Sequence, residues 1–448
     1  MGSADRRPAG GLLTGSLRHA VTSGCRTSPG RPKLSGLFEA LDGEESVDAA
    51  VSDRAFVRAM LDVEAALARA LEGAGRAPGG TGAAVTEALE ALDVDPGDLG
   101  RRAQGAGNPV VPLVEDAVAA VPEPHRSAVH LGATSQDVLD TAVMLVADHA
   151  RERILAELAR AADAAARLAD EHRGTLMVAR TLGQPALPTT FGAKVAGWLR
   201  GLHGAAGSLE GLELAVQLGG AAGTLAAYDG DGLRVMRLLA GELGLDDPGS
   251  PWHTERSRVR ALAQALAGVV LAAGKVATDV ALMSQAEVRE VAEGAPGGSS
   301  AMPQKKNPVA SVLLVASARR VPGLVAAVLG AGLHEHERAT GSWHAEWVPV
   351  RDLARLAGGA AARVANLLEG LLVDPEAMRR NLDAAQPGVM AEAYAAPLIP
   401  AIGRAAAQEA ARTAVEDATR TGEPLGDPAT YLGSVDEMVD RALAGRRD

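Results

Sequence analysis

Aromatic side chains are scarce: three Phe, three Tyr and four Trp make up 2% of 448 residues. A core built on large rings is thereby excluded. Cysteine is scarcer still, with Cys25 alone, so no intrachain disulfide framework exists, and no Cys/His cluster has the spacing of a zinc site. A reducing cytoplasm is the expected compartment, and no metal or organic cofactor is expected. No uninterrupted apolar run reaches about 18 residues, and the first 36 residues lack the apolar core of a secretory signal. Positive charge is also in deficit, the formal net charge being −12. Nucleic acid and membrane surfaces are therefore poor partners, whereas a small anion answers to local charge.

What the chain does have is apolar bulk without rings. Hydrophobic residues reach 47%, dominated by Ala and Leu, which favour helices and close packing. Such a length exceeds what one core sustains, so two or three regions are expected. Residues 1–36, rich in Arg, Gly, Pro and Ser, read as a disordered extension. From Val51 a helical face emerges in Phe56, Met60, Val63, Leu67 and Leu71. A longer seam runs from Val259 to about Val291 through Leu262, Leu266, Val269, Ala273, Val276, Val280 and Met283. Its steps of three and four predict a helix of about 45 Å. Two more long patterns cover Thr141 to about His172 and Ala193 to about Val216. The expected fold is all-α in three regions: 37–129, a central bundle of very long helices over 130–357, and shorter helices over 358–448. Seams of this length exceed what one chain covers, which points to a homo-oligomer.

Four polar stretches interrupt the helical pattern. In "HLGATSQDVLDTA", Thr134 and Ser135 precede an apolar helix and Asp137 falls in its first turn. These residues either cap the helix or use its free N–H groups to hold a carboxylate. In "ARTLGQPALPTTFG", Arg180, Thr181 and Gln184 stand beside two prolines, either as a turn between helices or as ligand contacts. In "QLGGAAGTLA" the glycines permit close packing, while Gln217 is a candidate for ligand binding. The fourth, "EGAPGGSSAMPQKKNPVAS", is the most specific. Gly297 and Gly298 allow backbone shapes that expose N–H groups, Ser299 and Ser300 carry hydroxyls, and Lys305, Lys306 and Asn307 supply donors for a carboxylate or a developing negative charge.

The string "GSSAMPQKKNP" resembles the signature loop of the fumarase/aspartase superfamily. "TSQD" and "RTLGQPALP" resemble its two other polar regions, in the expected order. "LPTTFGAKVAGW", "PWHTERSR" and "HERATGSWHAEW" are most similar to its 3-carboxy-cis,cis-muconate cycloisomerase branch, and the resemblance covers about residues 37–440. It implies an all-α homotetramer with a 20-helix bundle and active sites drawn from three subunits. By motif position Ser299 resembles the catalytic serine, Lys305 and Asn307 the residues that hold the substrate carboxylate, and Thr134 and Ser135 the first carboxylate-binding region. Arg338 is a candidate for a further carboxylate or for a salt bridge. The implied activity is lactonisation of a muconate in aromatic catabolism, or release of fumarate from a substituted succinate.

One departure bears on the chemistry. Fumarase and the amine-releasing lyases carry a histidine after "RT", where this chain has Leu182. That position cannot transfer a proton. Expelling an amine or hydroxide requires a general acid, whereas a carboxylate or nitrite departs or attacks as a stable anion. Leu182 therefore favours a weakly basic anion as the group added or lost. His130, His253 and His344 are the candidates for an acid from elsewhere, each set against a purely structural role. A non-catalytic helical protein of the same fold is disfavoured because Ser299, Lys305 and Asn307 are all retained.

Overall fold

The computed structural model describes residues 36–298, 301–302 and 304–445; the predicted extension lies almost wholly outside them. Alanine and leucine at helical spacing give a fold that is mostly helix. Short helices α1 (Glu39–Asp42) and α2 (Glu45–Ala50) lead into α3 (Asp53–Gly73), followed by α4 (Thr81–Glu90), α5 (Pro96–Ala103) and α6 (Val110–Ala120). The chain then builds a bundle from α7 (Ser135–Glu171), α8 (Phe191–Glu210), α10 (Ser257–Met283), α11 (Val309–Ala331) and α12 (Ser342–Glu369), with α9 (Gly232–Leu243) at its side. Helices α13 (Pro375–Ala384), α14 (Ala391–Ala395), α15 (Ile399–Ile402), α16 (Arg404–Thr421) and α17 (Val435–Ala444) close the chain.

The seam read from the sequence is the core of the bundle: Leu262, Leu266, Val269, Ala273, Val276, Val280 and Met283 are all buried. Helix α10 stops at Met283, short of Val291, because the chain turns there into strand β3 (Val291–Glu293), which pairs with β4 (Leu371–Val373). A second antiparallel pair, β1 (Leu176–Thr181) and β2 (Gln184–Thr190), connects α7 to α8.

The expected boundary at 357/358 falls inside α12. Gly358 and Gly359 do not end that helix; they clear space for another segment. A Cβ at Gly358 would meet the Val47 side chain at 2.6 Å, and one at Gly359 would fall on the Asp42 carbonyl oxygen. The N-terminal segment thus lies directly against α12. Helices α10 and α11 are long and apolar enough to cross a membrane by composition alone, but both are members of the bundle. Their environments differ: 56% of the most apolar stretch of α10 is buried, against 22% for α11.

Candidate active site

Thr134 caps α7 with extended backbone, φ −131° and ψ 162°. Its amide donates to the Asp137 carboxylate at 2.9 Å. The same carboxylate accepts from the amides of Gly219 (2.8 Å) and Gly220 (2.9 Å) and from His253 Nε2 (2.6 Å). Asp137 and His253 are both buried. The acid in the first turn of α7 is therefore the hub that fixes two loops on the start of that helix. The glycines answer to packing: a Cβ at Gly219 would sit 2.6 Å from the His253 ring, and one at Gly220 would sit 2.8 Å from the Gly132 carbonyl. Gly220 also has φ +69°, a conformation that favours glycine.

Arg338 reaches this place from the loop before α12. It donates to Thr134 Oγ1 at 2.8 Å and to the carbonyls of Gly220 and Ala221 at 3.2 and 3.1 Å. Among the described residues it has no acidic partner. The structure thus brings Thr134, Ser135, His253 and Arg338 together around one helix N-terminus, with a guanidinium that makes no ion pair among the described residues.

His130 borders the same region with backbone φ +57°. Glu64 holds it there, accepting from the His130 amide at 2.9 Å and lying 2.6 Å from Nδ1. Burial pulls the imidazole toward its neutral form, but the Glu64 hydrogen bond and the charges of Glu64 and Asp137 outweigh it and lift the pKa above the ordinary 6.5. His344 is placed elsewhere. It stands exposed between Trp343 and Trp347, with ring centroids 5.2 and 4.7 Å away. The aromatic packing of α12 turns it away from the Thr134 cluster.

Gln217 also departs from expectation. It is fully buried, its carboxamide oxygen accepts from the Trp252 amide at 2.9 Å, and its Nε2 donates to Asp140 at 3.4 Å. Its polar groups serve the frame. That frame is a buried ion cluster that sequence reading missed. Arg256 donates to Asp140 at 2.6 and 3.0 Å and to Glu346 at 2.7 Å. Trp343 Nε1 donates to Asp140 at 3.0 Å. Burial raises the Asp140 pKa, but the charge and hydrogen bonds of Arg256 more than reverse this and hold it ionised. The available signal was Asp140 standing three residues after Asp137, so that both carboxylates share one face of the helix.

The other polar stretches lie at the far end of the bundle. Leu182 and Gly183 form the two-residue tip of the β1–β2 hairpin with φ +52° and +79°, the positive pair of a type I′ turn. Leu182 is fully exposed, and neighbouring Gln184 is exposed. Arg180 ties the hairpin to the signature stretch through two bonds to Glu290, at 2.9 and 2.8 Å. The signature loop is pinched at its base, where Gly297 and Asn307 exchange backbone hydrogen bonds of 2.9 Å. Asn307 Nδ2 donates to the Gly298 carbonyl at 3.1 Å, and Lys305 and Lys306 are exposed. Ser299 and Ser300 lie outside the described residues. Glu293 then receives Ala310 N and Ser311 N at 3.1 and 2.8 Å, which fixes the start of α11.

Helix α11 separates the two ends. It begins two residues after Asn307, ends seven before Arg338, and its 23 residues span about 35 Å. Within one chain, the described residues of the signature loop and the Thr134–Arg338 cluster lie at opposite ends of α11.

Residues 43–323 match the Lyase_1 family, described as lyase. A nitrosuccinate lyase from Streptomyces davaonensis is 41% identical, over 92% of this chain and 95% of that protein. A 3-carboxy-cis,cis-muconate cycloisomerase from Bradyrhizobium diazoefficiens is 40% identical, over 92% of this chain and 98% of that one. In three dimensions the chain is similar to the 3-carboxy-cis,cis-muconate lactonizing enzyme of Pseudomonas putida, with a TM-score of 0.83 at 37% identity, covering 92% of this chain and 99% of the other. On these matches and the polar regions they span, the chain belongs to the lyase family of the fumarase/aspartase superfamily and is an enzyme of it, a lyase or cycloisomerase.

Proposed function

We propose that this enzyme lactonises 3-carboxy-cis,cis-muconate, a step of aromatic catabolism in the cytoplasm. The similarity to 3-carboxy-cis,cis-muconate cycloisomerases, 40% identity over 92% of this chain, carries the reading, and Leu182, fully exposed at the hairpin tip with no proton to give, suits it as it suits the loss of any weakly basic anion. In lactonisation the attacking group is a carboxylate of the substrate, ionised at neutral pH. Its oxygen forms the new C–O bond to one alkene carbon, and the displaced electron pair passes to the neighbouring carbon, next to another carboxylate. Ser299 then delivers a proton to that carbon. The doubly charged aci-carboxylate formed on the way is very basic and requires preorganised donors. Lys305 and Asn307 supply them, while Thr134, Ser135 and Arg338 bind the remaining carboxylates. Gln184 lines the site from the hairpin.

Each site is assembled from neighbouring subunits of a homotetramer. Three features support this. The polar segments of one chain lie at opposite ends of its bundle, only 22% of the most apolar stretch of α11 is buried, and the five bundle helices α7, α8, α10, α11 and α12 of each chain are the number that a twenty-helix bundle of four chains requires.

The second reading is elimination of nitrite from nitrosuccinate, favoured by the 41% identity to a nitrosuccinate lyase. There Ser299 removes the proton beside a carboxylate, the C–N bond breaks, and nitrite leaves without protonation. An absorbance assay separates the two. Purified protein is offered 3-carboxy-cis,cis-muconate and nitrosuccinate separately, with Ser299→Ala as the control. Loss of the diene signal, abolished by the substitution, is the expected result. Fumarate from nitrosuccinate with the muconate untouched overturns the first reading in favour of the second.

A further inference from the structure

The loop between α11 and α12 carries Arg338 and is braced across its own width. Ser342 Oγ donates to the Leu333 carbonyl at 3.2 Å, and the Thr340 amide donates to Glu335 at 3.0 Å. Where this braced loop is hung therefore decides where Arg338 stands. At its start His334, whose side chain is fully enclosed, places Nε2 3.2 Å from Glu346 Oε1, close enough to pair though not aligned as a hydrogen bond. At its end α12 begins, and Trp343 ties that helix to Asp140.

Glu346 stands one turn into α12 and accepts from Arg256 Nη2 at 2.7 Å and from Nε at 3.1 Å. The same guanidinium grips Asp140, which lies on α7 about 9 Å along the axis from Thr134. Two links thus join the start of α7 to the Arg338 segment. One is the buried bridge Asp140–Arg256–Glu346, and the other is the Arg338–Thr134 contact of 2.8 Å at the site. The first fixes the distance that the second must span. A buried ion pair is often no more stabilising than apolar packing of equal volume, so stability alone does not account for the bridge.

We propose that Glu346 is a positioning residue: through Arg256 and His334 it sets the place of the Arg338 loop, and so the reach of the guanidinium to a substrate carboxylate. This rests on the carboxylate-binding role proposed for Arg338, but not on which of the two reactions the enzyme performs. The property that matters is the length of the side chain rather than its charge. Two carboxylates share one guanidinium, so Glu346→Gln leaves Arg256 matched by Asp140 and keeps an acceptor at the same reach. Glu346→Asp keeps the charge but falls one methylene short, so its partners must follow it and the loop shifts.

The test compares the two variants in the full-length enzyme, on whichever of 3-carboxy-cis,cis-muconate and nitrosuccinate the wild type consumes. Glu346→Asp is expected to raise KM about tenfold with kcat changed by less than about threefold. Glu346→Gln is expected to stay within about threefold of wild type in both. Hydrogen exchange is expected to quicken in the backbone of residues 333–342 in Glu346→Asp alone. Adding Glu346→Asp to Arg338→Lys is expected to raise KM by less than the product of the single effects, because both act on one contact. If Glu346→Asp does not fold, His334→Phe cuts the loop's own link to Glu346 and takes its place with the same expectations. Single effects that multiply, a loss of folded enzyme with KM unchanged, or Glu346→Gln as impaired as Glu346→Asp overturns the proposal. If the wild type consumes neither substrate, the reaction proposed above fails and hydrogen exchange alone decides: equal exchange in wild type and Glu346→Asp overturns the positioning role.

Discussion

Four donors converge on the Asp137 carboxylate, three of them backbone amides from two separate loops. An asparagine there presents one acceptor oxygen and turns an NH2 toward N–H groups. Asp137→Asn is expected to cost about 2–4 kcal/mol in urea unfolding and, by releasing the glycine turn and Thr134, about 10²-fold in kcat/KM. Unchanged activity in a folded variant would remove Asp137 from its place as the hub. His130 supplies a prediction in pH. Its pKa is raised in the fold, so the contact with Glu64 stabilises fully below the ordinary value of 6.5 and is lost as pH rises through the folded value. The stability margin of the wild type over Glu64→Gln is therefore expected to be full below about pH 6.5 and to shrink as pH rises through the raised folded value. A margin flat across that rise would show that the charge on His130 contributes nothing. Residue types identified Thr134, Arg338 and His253 as chemically capable, but not Gln217 as structural or His344 as peripheral. Those two depend on which way a side chain turns once helices pack, and spacing along the chain carries no such information.

At the scale of elements, the β1–β2 hairpin escaped sequence reading because Pro185 and Pro188 looked like breakers. In a two-stranded ribbon they are tolerated, since an edge N–H needs no partner. The long helices were legible because their apolar period is strict; the run-on of α12 past Gly358 was not, because the glycines there serve a neighbouring segment. The hairpin tip makes its own prediction. A leucine at φ +52° and full exposure is disfavoured both by conformation and by solvation. Asparagine accepts positive φ and is preferred in such turns. If the tip stood in water, Leu182→Asn would raise stability by a few tenths to about 1 kcal/mol with no other effect. If it reaches into a neighbour's site, the same substitution is expected to lower kcat/KM. Thermal unfolding and steady-state kinetics on one preparation distinguish these outcomes.

At the scale of the molecule, α11 presents an open apolar surface, with Val312 at 55% and Leu329 at 46% exposure, and stands between the two halves of the candidate site. Covering that surface with a second chain and joining the halves are one requirement if neighbouring bundles run antiparallel, since the signature end of one chain then lies beside the Arg338 end of another. Two measurements follow. Val312→Glu places a charge on the open surface and is expected to yield helical monomers without activity, read by sedimentation and circular dichroism. The second is complementation. Ser299→Ala and Arg338→Ala are each expected to inactivate every site of the proposed homotetramer. When the two are unfolded together at equal concentration and refolded, subunits mix at random. A site that takes its serine from one chain and its arginine from another is then intact in about a quarter of cases. Recovery of about that fraction of wild-type activity is expected, whereas a site contained within one chain recovers none, because no single chain in the mixture carries both residues.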